Sequence, residues 1–297
     1  PRIRLLRNET NLGAARSRNR ALDAAKGEWI ALLDADDWFL ESRLEELLNA
    51  ARDHNADIVA DDIYMIPQGA RVDLERGLQE NHRGYARPLG RLFRHTHLPH
   101  WLQIEEVLRK RLPGGNDPRI SLVKPLIRRS FLEQFDIRYI EKAWGEEDVP
   151  FYLDCLGYGA RFLLVEGPWY CYRSHPNMIS KAWSIEDYKI RIEANERLLR
   201  RPYVQSTPHL RQLFRQRQKE LERDLETFRL GERLAKASFF ERIQLAAHSH
   251  IHLLSYLRAH LQDRLSHRRE QLRNIPTRLR EVVGLGTPLR RDTSVEV

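Results

Sequence analysis

The chain has 297 residues, enough for a large domain with an appendage, and its 41% hydrophobic and 31% charged residues describe a folded protein with a heavily charged surface. Two cysteines, Cys155 and Cys171, exclude a disulfide scaffold and any CxxC site, and no apolar run approaches the roughly 20 residues that cross a bilayer. The net charge of +8 is uneven: residues 1–180 carry 26 Lys and Arg against 27 Asp and Glu, and residues 181–297 carry 24 against 15.

In chain order, Ile3–Leu6 reads as a short strand. Residues 13–26 read as an Ala-rich helix carrying Arg16, Arg18 and Arg20 and stopped by Gly27. Trp29–Leu33 is a continuous apolar run of the kind that forms a central strand covered on both faces, and it ends in Asp34-Ala35-Asp36-Asp37. An amphipathic helix follows over 41–53, with Leu44, Leu47, Leu48 and Ala51 on one face, and then a strand over Asp57–Met65. Strand–helix–strand alternation predicts an α/β layer with a parallel sheet. Gly and Pro punctuate residues 66–118, which reads as loops with short helices. Order resumes over Leu122–Leu132, and Phe162–Val165 reads as a strand. Residues 185–282 have helical period, with breaks near Pro202, Pro208 and Gly231, and the residues from Gly284 form a loose tail. The cysteines read as small buried hydrophobes.

The chemistry concentrates at the acidic turn. In open α/β sheets, ligands bind beyond the carboxyl ends of the strands. Carboxylates there suit Mg²⁺ or Mn²⁺, which takes oxygen ligands and completes its shell with phosphate oxygens. The same three acids would also serve as a turn capping the next helix. Arg16 and Arg18, on the preceding helix, suit either a nucleotide edge or salt bridges. Lys124-Pro125 with Arg128-Arg129 suits either an anionic acceptor or an ordinary basic surface. Trp144 fits sugar stacking and core packing equally. His248, His250 and His252 lack a convergent Cys or carboxylate at ligand spacing and are not expected to hold a metal.

Taken together, Asn11-Leu12-Gly13, Arg18-Asn19, Gly27-Glu28-Trp29-Ile30 and Leu33-Asp34-Ala35-Asp36-Asp37 form one ordered string. Further on come Trp144-Gly145-Glu146-Glu147-Asp148-Val149-Pro150-Phe151 and Trp169-Tyr170-Cys171-Tyr172-Arg173-Ser174-His175, followed by Ser180. Over residues 1–180 the order resembles the inverting family 2 glycosyltransferases of GT-A fold. Within that family, Ser121–Arg129 and Glu147–Tyr172 are similar to bacterial exopolysaccharide enzymes of the succinoglycan type.

The resemblance implies a partial GT-A domain over 1–180, a basic helical extension over 181–283 and a flexible tail over 284–297. It implies transfer of a sugar from a nucleotide-diphosphate donor, a UDP-sugar, to a hydroxyl of a saccharide or lipid-linked oligosaccharide, with inversion and with Mg²⁺ or Mn²⁺. Asp148 would be the general base, assisted by Glu147. Flanking acids would raise its pKa toward working pH; the alternative is a helix N-terminal acid facing the macrodipole. Asp36, Asp34 and His175 would hold the metal. Asp34, Arg18, Arg16 and Arg173 would hold the donor, Arg173 through a bidentate phosphate contact. Asp37 reads as a cap for the helix that follows.

The string lacks the family's first strand and acidic second strand, so the chain, which opens at Pro1 without Met, is expected to be an N-terminally truncated piece. No nucleic-acid-binding module is recognisable, and none is expected as a partner. The implied place is the cytoplasm, with the cationic tail at the inner face of the plasma membrane. A phosphatase of haloacid-dehalogenase type is disfavoured by Trp38 at the position where that class carries Thr or Val. The competing function is an inactive fragment that docks on membrane or partner through its Arg-rich helices and Phe239-Phe240.

Overall fold

A computed structural model describes residues 3–67, 97–109, 120–141, 147–174 and 184–236. The chain divides into two compact units, 1–225 and 226–297, and of the second only residues 226–236 are described. The charge asymmetry of the sequence falls at 180/181 instead.

Helix α1 spans Gly13–Ala24. Its start is set by Asn11, whose side-chain oxygen accepts a hydrogen bond from the Gly13 N–H (3.0 Å), while Gly13 adopts φ +75°, a left-handed conformation that suits glycine. Strand β1 (Trp29–Ala31) runs into the acidic turn, which returns as β2 (Trp38–Phe39). Helix α2 covers Arg43–Asp53 with Ser42 as its N-cap, and β3 covers Ile58–Pro67. The short β4 (His100–Trp101) and α3 (Ile104–Leu108) follow. After a 3-10 turn at Ile120–Leu122 come β5 (Leu126–Arg128), α4 (Arg129–Gln134), α5 (Asp148–Gly157) and β6 (Phe162–Ser174).

The strands form one mixed sheet in the order β1-β5-β3-β6-β2, with β4 also on β6. Only β3 and β6 pair in parallel, from Ile58 opposite Phe162 to Pro67 opposite Ser174. The parallel sheet expected from strand–helix alternation is therefore corrected. Strands β1 and β3 are not neighbours, because β5 inserts antiparallel between them. The Trp29 strand, expected at the centre, lies at one end of the described order, with Trp29 and Ile30 only partly covered. Ile3–Leu6 takes no regular structure, and Ile3 and Leu5 are exposed. A strand needs a ladder partner for its backbone groups, and none pairs with it among the described residues.

Side-chain alternation builds a core on each face of the sheet. On one face Ile58, Ala60, Ile127, Phe162 and Leu164 meet α3 and α5 through Val107, Leu108, Phe151, Tyr152 and Cys155. On the other, Val59, Leu126, Leu163 and Val165 meet α2 through Leu47 and Ala51. Cys155 and Cys171 are buried free thiols, as expected.

The helical segment begins with α6 (Ile185–Leu199), α7 (Pro202–Ser206) and α8 (Pro208–Lys236). Pro202 and Pro208 open helices at the predicted breaks, since proline's missing N–H costs nothing in a first turn. Gly231 makes no break; the helix runs through it. The predicted helix beyond 236, the tail, the three histidines at 248–252 and Phe239-Phe240 lie outside the described residues. Among the described residues no helix is long and apolar enough to cross a membrane.

Helix α7 grips α5. Buried Asp154 accepts from the Arg201 guanidinium (2.6 Å) and the Tyr203 hydroxyl (3.1 Å). The Tyr203 ring lies so close to Gly157 that a Cβ there would sit 2.2 Å from it. Gly157→Ala should cost about 1–3 kcal/mol through this overlap, visible as a lower thermal unfolding midpoint. An unchanged midpoint would mean that the ring moves freely.

Candidate active site

The acidic turn, α1, the residues before β5 and the start of α5 converge on one buried cluster of charges. Arg18 on α1 is at its centre. One terminal nitrogen donates to Glu147 Oε1 (2.9 Å) and Asp148 Oδ1 (3.0 Å), and the other donates to Asp34 Oδ1 (2.7 Å). Lys124, 5% exposed, donates to Asp148 Oδ2 (2.6 Å) and pairs with Asp34 Oδ2 (3.3 Å). Both cations thus bridge the acid turn to the N-terminus of α5.

Local structure explains how each side chain is held. Asn19, next to Arg18, exchanges two hydrogen bonds with the backbone of Tyr139: its amide donates to the carbonyl (2.9 Å) and its oxygen accepts from the N–H (2.8 Å). Tyr139 then stacks flat on Phe151 of α5 (4.1 Å between centroids) and supports the Arg18 guanidinium at 5.5 Å. The Arg-Asn pair therefore binds the cation's helix to the loop that backs it. Tyr152 donates to the Val123 carbonyl (2.8 Å) and so pins the segment that leads into Lys124.

Burial opposes the charge on Arg18 and on Lys124, yet the pKa of each is raised, because Asp148 and Asp34 stand beside both. Burial also works against ionised Asp34, but Lys124 and Arg18 hold its carboxyl below the ordinary value. Glu147 moves the other way. Burial and then the neighbouring Asp148 charge push its pKa up, and its Oε2 is buried without a hydrogen-bond partner.

Asp37 is not a helix cap; Ser42 stands at that position. Its carboxylate accepts from the Tyr170 hydroxyl (2.7 Å) and the Arg173 N–H (2.8 Å), which fastens the turn to β6. The Arg173 Nε donates to the Asp36 carbonyl (3.0 Å), and its guanidinium lies over Trp38. Asp36 itself is exposed. Arg16 is not brought into the cluster and lies 3.8 Å from Glu141, both side chains more than half exposed. His175 and Trp144 lie outside the described residues.

The residue that sequence reasoning placed elsewhere is Lys124. It separates from its supposed basic partners: Arg128 packs on Trp29 near Glu28 and Asp57, and Arg129 pairs with Glu133. The available signal was a lone lysine inside Leu122-Val123-Lys124-Pro125-Leu126-Ile127, an apolar stretch in which a cation needs partners.

Among the described residues no three His, Cys, Asp or Glu side chains converge as a metal cage. The donor chemistry still suits a Mg²⁺- or Mn²⁺-type ion that takes one or two protein carboxylates and finishes its shell with phosphate oxygens. Asp36 offers an exposed carboxylate for this, whereas both oxygens of Asp34 face cations.

A mixed sheet with helices on both faces and an acid turn at the rim of β1 defines a GT-A glycosyltransferase fold. The structure of S. aureus TarS 1–349 in complex with UDP-GlcNAc superposes with a TM-score of 0.51 at 17% identity, over 81% of this chain and 61% of that one. Residues 1–135 match the model for Glycosyl transferase family 2. It is 30% identical over 200 residues to the succinoglycan biosynthesis protein ExoU of Rhizobium meliloti strain 1021, covering 67% of this chain and 54% of that protein. The same organism's ExoO is 28% identical over 201 residues, covering 68% of this chain and 53% of that protein. The chain thus spans about half the length of these curated relatives.

Proposed function

We propose that the protein moves a sugar from a nucleotide-diphosphate donor, a UDP-sugar, to a hydroxyl of a saccharide or lipid-linked oligosaccharide, with inversion, in the assembly of a cell-surface polysaccharide. The succinoglycan relatives support the pathway class, and the UDP-GlcNAc complex of TarS supports the donor class. Work at the inner face of the plasma membrane fits a lipid-linked acceptor. The observation that carries the reading is the pair of carboxylate stations, Asp34 on the acid turn and Asp148 on α5, held together by Arg18 and Lys124.

In this reading Asp148 takes the proton of the acceptor hydroxyl as its oxygen attacks the anomeric carbon. The bond from that carbon to the diphosphate oxygen breaks on the opposite side, and its electron pair leaves with the diphosphate. Arg18 and Lys124 pair with the base and hold it at a set distance from the donor turn. Arg173 braces the turn that meets the phosphates. Bound at Asp36, with Asp34 near it, a divalent ion would neutralise charge on the departing diphosphate. Among the described residues, Asp34, Asp36, Asp37, Glu147 and Asp148 outnumber Arg18, Lys124 and Arg173, so added positive charge would ease the approach of an anionic diphosphate.

Titration of purified protein with UDP, with and without Mn²⁺, tests this. Binding should be strengthened by the ion, and Asp36→Asn should remove at least about tenfold of that gain, or roughly 1.4 kcal/mol. UDP binding that ignores Mn²⁺ in the unsubstituted protein would sink the metal part of the proposal.

A further inference from the structure

The most deeply buried cation in the described structure lies behind the site. Arg43, at the start of α2, has zero exposure. Its Nε and one terminal nitrogen donate to Asp61 of β3 (2.7–3.2 Å), and that same nitrogen donates to the backbone carbonyl of Lys124 (2.5 Å). The guanidinium lies against the rings of both Phe39 (4.4 Å) and Tyr170 (5.0 Å), which also touch each other. Asp61 in turn accepts from the Trp169 N–H (2.9 Å).

Both arms of this contact set end at the site. Through the Lys124 carbonyl, Arg43 sets where the lysine backbone sits, and the lysine ammonium lies 2.6 Å from Asp148. Through Tyr170, whose hydroxyl donates to Asp37 and accepts from the Asp34 N–H (3.3 Å), it sets where the acid turn sits. A buried arginine placed only for packing would be poor economy, since desolvation of such a pair commonly cancels its Coulomb gain. Nη1 is buried without a hydrogen-bond partner, so the residue is not even fully satisfied where it lies.

We infer that Arg43 is a positioning residue for the transfer reaction, fixing the spacing between the acid turn and the Lys124–Asp148 pair. The inference rests on the function proposed above. It touches no substrate; it acts through Lys124 and Tyr170.

Arg43→Lys keeps the buried charge but cannot reach Asp61 and the Lys124 carbonyl together. In a UDP-sugar transfer assay it should lower kcat by about 10²-fold, the loss expected from a misplacement near 1 Å, and leave the donor KM within about threefold. A kcat that is unchanged, or that falls only as far as the folded fraction falls, overturns the inference. Should the single variant not fold, Arg43→Gln combined with Asp61→Asn removes both charges at once, and the same split between kcat and KM is read. If the unsubstituted protein transfers no sugar from UDP donors, the proposed function fails first. The inference is then judged by melting temperatures of Arg43→Lys, Lys124→Met and the double variant. Less-than-additive shifts support the link to Lys124, and additive shifts refute it.

Discussion

Asp148→Asn should lower sugar transfer by about 10²- to 10⁴-fold, the range that a positioned general base contributes. The substitution keeps the shape of the side chain and removes the charge that takes the acceptor proton. Asp34 and Asp36, on the donor turn, are untouched, so UDP affinity in the presence of Mn²⁺ should stay within about a factor of three. The two readings of Asp148, base or helix-end acid, separate here. A carboxylate that only complements the α5 macrodipole is worth about 0.3–1 kcal/mol, and its loss would trim stability and spare kcat. Rate measurements at saturating donor, with calorimetry of UDP on the same preparation, decide it. Turnover near that of the unsubstituted protein would remove Asp148 from the base role.

Lys124→Met should cost about 3 kcal/mol or more of folding stability, and it should depress transfer as well. Methionine fills a similar volume, so the effect is electrostatic. The variant leaves Asp148, 6% exposed, and Asp34 with Arg18 as their one remaining shared cation in the cluster. Urea denaturation near neutral pH measures the loss.

The pH dependence fixes its sign. Lys124 has a raised pKa in the fold, so its stabilising effect is complete below the ordinary 10.5 and is lost as pH climbs through the folded value. Asp34 has a lowered one, so its effect is complete above the ordinary 3.8 and is lost as pH falls through the folded value. Glu147, raised from 4.5 chiefly by burial, subtracts stability as pH rises from there through its folded value. The difference between unsubstituted and Lys124→Met proteins should therefore be broad across neutral pH and shrink at both extremes. A difference that is flat with pH would mean that the methionine changed packing rather than charge.

Much of the site lay in plain view along the chain because its parts are local. Asn11 and Gly13 start a helix through one turn of backbone. Arg18-Asn19 lie within that helix. The Trp29–Asp37 segment is an apolar strand running into acids, and Glu147-Asp148 opens α5. Patterns of this kind depend on residues a few positions apart, and so their order along the chain reveals them. The misreadings are of another sort. Trp29–Leu33 is apolar enough for a central strand, but apolarity does not say which strand lies beside it. Asp37 has the chemistry of a cap, yet its carboxylate is used by Tyr170 and Arg173, more than 130 positions away.

Sequence by itself located the acid turn, the arginine and the acidic helix start, for each is written in neighbouring residues. Tertiary structure alone decided that β5 enters antiparallel between β1 and β3, which carries Lys124 to the acid turn and lays its carbonyl on Arg43. The physical reason is that sheet order depends on which distant edges pair. A buried cation such as Arg43 or Lys124 is tolerated only where several remote carboxylates and carbonyls close around it. Asp61, beside Asp62 in the mostly apolar strand β3, was a local sign of a buried cation.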